Sequence, residues 1–338
     1  MTQGAVYVQT NEAENKVVHY GRDAAGRLER IAVVETGGSG DGKAHLASQG
    51  SVVLTADGNH LLIANSASDD VSLFSVAADG NLDLIGRTPV GPAPKSVAEH
   101  GGLVYVLATG GPTVTGFRLG ESGLEALAGA EQALSPDADP AQVGLTPDGS
   151  TVVVTERGTN SITAFPVEAG GGLGPSRTIP SSGPTPYGFA FTSSGTLVVS
   201  EAFGAQKGKA AASSYSVEGA QITPVTKSVG SGRSEICWVV VTSDGRYAFT
   251  TNFADGAVSR YSIADDGSLH LDDAAAAFSV DGRPGLRDEG LTADGAFLYA
   301  IDADSGSIFG WGVAQDGTLS PVGSWGGLPD TVAGLACR

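Results

Sequence analysis

The chain has 338 residues, 41% of them apolar and only 17% charged, with 50 Gly and 16 Pro. That is enough hydrophobic material for a large core, which excludes a disordered chain, and the glycines follow no Gly-X-Y period, which excludes a collagen-like fibre. With 19 basic and 37 acidic side chains the formal charge is −18, a field that argues against nucleic acid and anionic membrane surfaces as partners.

The chain opens at once on an alternating apolar run, residues 5–10, with no basic and apolar leader before it and no window of eighteen apolar residues anywhere. It therefore reads as soluble and cytoplasmic, or as exported if a signal peptide has been removed. His19 falls in an outer strand, and a Gly-x-Leu turn follows at Gly26. The run His45-Leu46-Ala47-Ser48-Gln49-Gly50 leads into an inner strand, which ends in a Thr-x-Asp-Gly turn at Gly58.

From there two turn families alternate along the chain. Thr-x-(Asp/Ser)-Gly recurs at Gly149, Gly195, Gly245 and Gly295, spaced 46, 50 and 50 residues apart, with a degenerate copy at Glu99-His100-Gly101-Gly102. The Gly-x-Leu family, with relatives, recurs at Gly80, Gly123, Gly172, Gly219, Gly267 and Gly317 and so makes seven copies with Gly26. The sixth repeat shows the unit best: residues 238–242, 247–252, 257–263 and 269–271 are four strand-like runs in one period. Helix-period segments are missing, and turn signals come at about ten-residue intervals. The prediction is an all-β, seven-bladed propeller of four-stranded antiparallel blades, one domain over residues 1–338. The first repeat lacks its inner strand, and residues 331–337 supply it beside residues 5–10, closing the ring.

Both turn families belong to one face of such a ring. The other face carries loops of varied length and chemistry, at 10–15, 64–70, 156–160, 201–211, 252–256 and 302–305, and variable polar loops on a rigid frame are where sites are built. That face also receives the start of every inner strand. Counting back from the turns places Gly50, Ala141, Tyr187, Cys237 and Arg287 at one level, with Lys95 in the third repeat. Around them lie His45, Gln49, Gln142, Glu201, Arg233, Glu235, Trp238, Asp288 and Glu289, unusually polar for segments abutting core strands.

Each has a plain alternative. Glu235 and Arg233 read either as working groups or as a solvated pair. Cys237 reads as a small buried residue, since no His stands near it in sequence. Trp238 reads as packing between blades, and Tyr187 as a plug of the channel. His45 is the histidine placed to act as a base, or to be held structurally. Cys237 and Cys337 lie 100 residues apart without metal-ligand spacing. The acidic loops Asp69-Asp70 and Asp302-Ala303-Asp304 match no EF-hand, and no nucleophile-elbow, zinc-protease or phosphate-loop motif occurs. No metal and no cofactor is expected.

The repeats resemble the seven-bladed lactonase family, which includes propeller-type 6-phosphogluconolactonases and fungal carboxymuconate cyclases. The segments that carry the resemblance are Thr146-Pro147-Asp148-Gly149-Ser150-Thr151-Val152-Val153-Val154 and Thr242-Ser243-Asp244-Gly245-Arg246-Tyr247, followed by Val258-Ser259-Arg260-Tyr261 and Asp266-Gly267-Ser268-Leu269. The resemblance covers essentially the whole chain. The family's inner-strand Pro-His corresponds to Pro140-Ala141, its Gly-Pro-Arg-His to Thr185-Pro186-Tyr187-Gly188, and its late Pro-Arg to Leu286-Arg287, where the arginine is kept. Glu201 matches an acidic position, and Glu235-Ile236 the family's acidic-Ile pair.

What the resemblance implies is a lactonase-like enzyme acting on a small cyclic ester or a related unsaturated acid at the channel mouth, by hydrolysis or by lactonising or lyase chemistry. Arg287 would stabilise developing negative charge while Glu235 or His45 moves a proton. Gln49, Gln142, Tyr187, Glu201, Arg233, Cys237 and Trp238 would contact a small-molecule substrate. The other reading is a non-catalytic scaffold that binds a ligand or protein on its loop face. A monomer is expected in either case.

Overall fold

The Thr-x-Asp-Gly segments fold into one repeated turn. The threonine hydroxyl donates to the Asp carboxylate two residues on, at 2.5–2.6 Å for Thr55, Thr146, Thr242 and Thr292, and accepts the amide that opens the next strand. Glycine then takes a φ between +66° and +95° at Gly58, Gly149, Gly195, Gly245 and Gly295, a conformation that only glycine adopts without steric cost. The Thr146 hydroxyl and the Ser150 amide hold the Asp148 carboxyl down at about 2.

The computed structural model describes residues 3–44, 46, 49–280 and 282–338. Within them, seven four-stranded antiparallel sheets form the blades of a propeller. The inner strands are Ala333–Cys337, Val52–Leu54, Pro94–His100, Pro140–Leu145, Pro186–Phe191, Ile236–Val241 and Leu286–Leu291, taken from blade 1 to blade 7. Closure is as the sequence implies: Val6 pairs with Cys337, Tyr7 with Ala336 and Val8 with Leu335, antiparallel, so the C-terminal strand is the inner strand of blade 1. In the sixth blade the second and third strands are Tyr247–Asn252 and Ala257–Ile263. The fourth runs from Leu269 to Phe278, past the expected 271, because an outer edge half in water needs no apolar alternation to be a strand.

In blade 1 the second and third strands, Gly4–Gln9 and Lys16–Arg22, are buried on both faces, whereas the outer strand Leu28–Glu35 alternates towards solvent. The core lies between blades. Tyr7, Val17, Leu61, Ile63 and Phe74 fill one interface, and Val6, Val8, Val18, Tyr299, Ile301 and Leu335 another, each buried side chain contributing about 1.5–3 kcal/mol. Tyrosine hydroxyls pin neighbouring blades: Tyr7, Tyr105 and Tyr299 donate to the carbonyls of Gly80, Gly171 and Gly26 at 2.6–2.8 Å. In the fourth blade the left-handed glycines are Gly170 and Gly171, not the expected Gly172, because the turn closes by the Gly171 amide donating to the Glu168 carbonyl, as Gly80 does to Ala77 in blade 2. No helix among the described residues is long and apolar enough to cross a membrane.

One histidine is locked into this core. His19 is 1% exposed, stacks on Tyr7 at 5.1 Å, and neither ring nitrogen has a hydrogen-bond partner. Burial holds its pKa below the usual 6.5, against the opposing charge of Asp79. The native state therefore binds fewer protons here than the unfolded chain, so this contribution is present above pH 6.5 and is lost as pH falls. Urea unfolding at pH 7.5 and at pH 5 is expected to show the wild type losing stability relative to His19→Phe as the pH falls; a difference between the two proteins that does not change with pH would show that His19 does not contribute.

Candidate active site at the channel mouth

Two backbone devices build the mouth. Immediately before the inner strands of blades 3 to 7, Ala93, Asp139, Thr185, Glu235 and Gly285 adopt positive φ. Their carbonyls accept the amides of Thr109, Arg157, Ala202, Phe253 and Ala303 at 2.9–3.2 Å. A left-handed non-glycine residue costs roughly 1–2 kcal/mol, which the repeated hydrogen bond and the neighbouring pairing offset. One residue later each strand has a register shift against its neighbour, following Pro94, Pro140, Pro186, Ile236 and Leu286. Bulges re-aim side chains, and these carry Lys95, Ala141, Tyr187, Cys237 and Arg287, with Gly334 at the same level of blade 1.

Charge and aromatic rings collect at this level. Arg157 lies over the Tyr187 ring at 4.8 Å and donates to its hydroxyl at 3.0 Å, while Asp139 takes the same guanidinium at 2.7 Å. Tyr187 packs on Trp238 with ring centroids 4.9 Å apart. Arg287, 5% exposed, lies 4.9 Å over Phe253, donates to the Ala44 carbonyl, and has Asp304 Oδ1 3.8 Å from Nη2. Two guanidiniums, each stacked on an aromatic ring, thus flank Cys237. The charges of Arg287, Asp288, Glu235 and Arg157 all act on its sulfur, but burial dominates and pushes the thiol up to about 12. Cys237 is a thiol at neutral pH and donates to the Glu235 carbonyl at 3.4 Å. Burial likewise pushes the Tyr187 phenol up and draws the Lys95 ammonium down, the latter with Arg157 as a further cause.

The other sequence candidates serve the frame. Gln49 crosses the channel from blade 2 to blade 6, donating to the Val239 carbonyl at 2.8 Å and accepting its amide at 3.2 Å. Gln142 does the same for Phe189 in the next blade, at 2.9 and 2.7 Å. Glu201 is fully buried inside blade 5, where its oxygens accept the Gly183 amide and the Ser213 and Ser228 hydroxyls; burial raises its pKa against those bonds. It belongs to a series that ties second strands to third ones, with Glu156 on Thr163 and Asn65 on Ser72. Arg233 turns outward, donating to the Ala274 carbonyl at 3.0 Å over the Phe278 ring, so it does not pair with Glu235. His45 lies outside the described residues.

Arg157 is the mouth residue that sequence reasoning missed. It follows the end of a second strand, where blades 3, 5, 6 and 7 have Thr109, Ala202, Phe253 and Ala303, and lining up those positions as well as the inner strands would have exposed it. Next to Arg287, Asp288 and Glu289 are both buried. Burial raises Asp288 to about 7, against the Gly334 amide and the Arg287 charge, and raises Glu289 well above the carboxylate range. Of the acidic loops, Asp70 is bound to Arg87 at 2.9 Å and Asp302 to the Ser279 hydroxyl at 2.6 Å.

A closed ring of seven four-stranded blades, with charged side chains at the inner-strand bulges of its loop face, defines a β-propeller with a candidate site at that mouth. The chain belongs to the seven-bladed β-propeller lactonase family, whose model matches residues 2–128, 122–203 and 199–330. No curated protein matches the sequence. Among solved structures, the Pseudomonas aeruginosa periplasmic gluconolactonase is 15% identical, with 99% of this chain and 98% of that one covered at a TM-score of 0.75. A candidate 6-phosphogluconolactonase from Bacteroides fragilis is 17% identical over 99% and 98% of the two chains, TM-score 0.74. A functionally unknown protein from Desulfotomaculum acetoxidans is 12% identical over the same shares, TM-score 0.76. At such identities the likeness is one of fold.

Proposed function

We propose that the chain hydrolyses a small lactone at the loop-face mouth. The observation that carries this reading is Arg287, a nearly buried guanidinium fixed by Phe253, the Ala44 carbonyl and Asp304, in a chain that belongs to a lactonase family. A cation held in a low-dielectric site stabilises an oxyanion far better than one in water, and it does not have to reorganise. In this reaction a water oxygen bonds to the acyl carbon and the ring C–O bond breaks. The proton lost by water goes to Glu235 and then to the leaving alkoxide, giving a hydroxy acid. His45 is the alternative proton carrier. Lys95 and Arg157 supply further positive charge at the mouth.

A pH-indicator assay on sugar, aliphatic and aromatic lactones tests this. Turnover of at least one is expected, falling 10²- to 10³-fold in Arg287→Ala and about 10²-fold in Glu235→Gln, with circular dichroism unchanged. Turnover that survives both substitutions would remove these residues from the reaction. Inertness to every lactone would favour carboxylate addition across a double bond, or a scaffold that binds without turnover.

A further inference from the structure

The inner strands of blades 7, 1 and 2 leave buried oxygens that the mouth does not use. Asp288 is 3% exposed and Ser51 fully buried, and neither Asp288 Oδ2 nor Ser51 Oγ has a hydrogen-bond partner. The residue at this level is satisfied elsewhere: Ser96 Oγ donates to the Gln49 carbonyl at 2.6 Å and accepts the Val143 amide at 3.1 Å, and Gln142 is paired with Phe189. Both orphans adjoin one residue, Gly334. Its amide donates to the Asp288 carboxylate, and a Cβ there would overlap Ser51 Oγ. Gly334, which has no side chain, thus touches both a buried carboxylate and a buried hydroxyl, with Val52 packed beside it.

We propose that a hard, oxygen-liganded cation is held beside Gly334 between the Asp288 carboxylate and the Ser51 hydroxyl, with water completing its shell. An unpaired carboxylate removed from water costs several kcal/mol, and buried polar atoms without partners call for a water, an ion or a proton. Arg287 forms its ion pair with Asp304 at 3.8 Å and, among the described residues, none with Asp288; its charge acts on the carboxylate from a distance, and its own buried Nε has no hydrogen-bond partner. Oxygen donors without sulfur or imidazole select hard ions, and a net charge of −18 draws cations in. Both Glu289 carboxylate oxygens are likewise buried without a hydrogen-bond partner, but they lie on the blade 6 side of the strand, towards Thr251, and not towards Gly334. No cluster of three His, Cys, Asp or Glu forms among the described residues, so a weakly held ion, bound at millimolar concentration, fits a single carboxylate.

The test is thermal unfolding of the full chain at pH 8 and matched ionic strength in choline, sodium, potassium, magnesium or calcium chloride. At least one inorganic cation is expected to raise Tm by roughly 3–6 °C over choline. The rise should vanish in Asp288→Asn and shrink in Ser51→Ala. Terbium emission sensitised by tryptophan, displaced by the active cation, reads binding on the wild-type chain and stays informative if a variant does not fold. The same Tm in all five salts, without displaceable terbium, overturns the proposal. In that case wild-type Tm climbing as pH drops from 8 to 5, but not in Asp288→Asn, identifies a proton as the occupant. None of these readouts requires turnover, so the outcome is independent of the lactonase reading.

Discussion

Deletion of residues 331–338 is expected to abolish the cooperative melting transition. Those residues contain the whole inner strand of blade 1, and Val332, Ala333, Leu335 and Ala336 are buried against blades 7, 1 and 2. Their loss exposes apolar surface worth several kcal/mol and leaves the strand Gly4–Gln9 with an unpaired edge. It also opens the ring, so blades 7 and 2 lose their partner at the channel. The sum is comparable to the entire stability of an ordinary domain, about 5–15 kcal/mol. Near-ultraviolet circular dichroism during heating is the measurement. A sharp transition at the wild-type temperature would mean that the ring does not depend on this strand.

Gly188→Ala is expected to destabilise the fold by roughly 3 kcal/mol. A Cβ at Gly188 would lie 2.6 Å from Gln49 Oε1, 2.8 Å from the Cys237 carbonyl oxygen and 2.8 Å from the Trp238 Cα. Two of these are backbone atoms of the next blade and cannot move aside cheaply. The third belongs to the amide that spans the channel to Val239. In a Gln49→Ala background the cost should shrink without disappearing, since the backbone contacts remain. Urea unfolding of the two single variants and the double variant gives the coupling directly. A Gly188→Ala protein as stable as the wild type would show that Gln49 is not seated at Gly188.

The architecture was legible because its signals are local and repeated. Thr-x-Asp-Gly turns close through bonds between residues two to five apart, so they survive in the sequence as a motif, and the missing first strand was visible as a gap in the count. The level of Lys95, Tyr187, Cys237 and Arg287 was readable by the same counting. The work done by Gln49, Gln142 and Glu201 was not, because their partners are backbone amides and carbonyls in other blades or hydroxyls in other strands, and a carboxamide that binds a strand looks in sequence like one that binds a ligand. Arg233 was misplaced for a related reason: it sits before a left-handed turn, and that turn decides whether a side chain enters the channel or leaves it.

The lead-in turns also bear on how such a mouth changes. Five blades present a side chain at the same bulge, and in each the backbone around it is held by its own amide-to-carbonyl bond. Substitution there alters chemistry without altering scaffold, which allows Ala141 and Arg287 to occupy equivalent places.

Gln49 has a mechanical consequence as well. A closed ring of wedges is stiff against radial expansion but soft against ovalisation, in which one diameter lengthens while another shortens. A side chain bonded at both its amide nitrogen and its oxygen to the opposite blade is a tie rod along one diameter, so the aperture between blades 2 and 6 is fixed and the remaining compliance is turned towards the other axes.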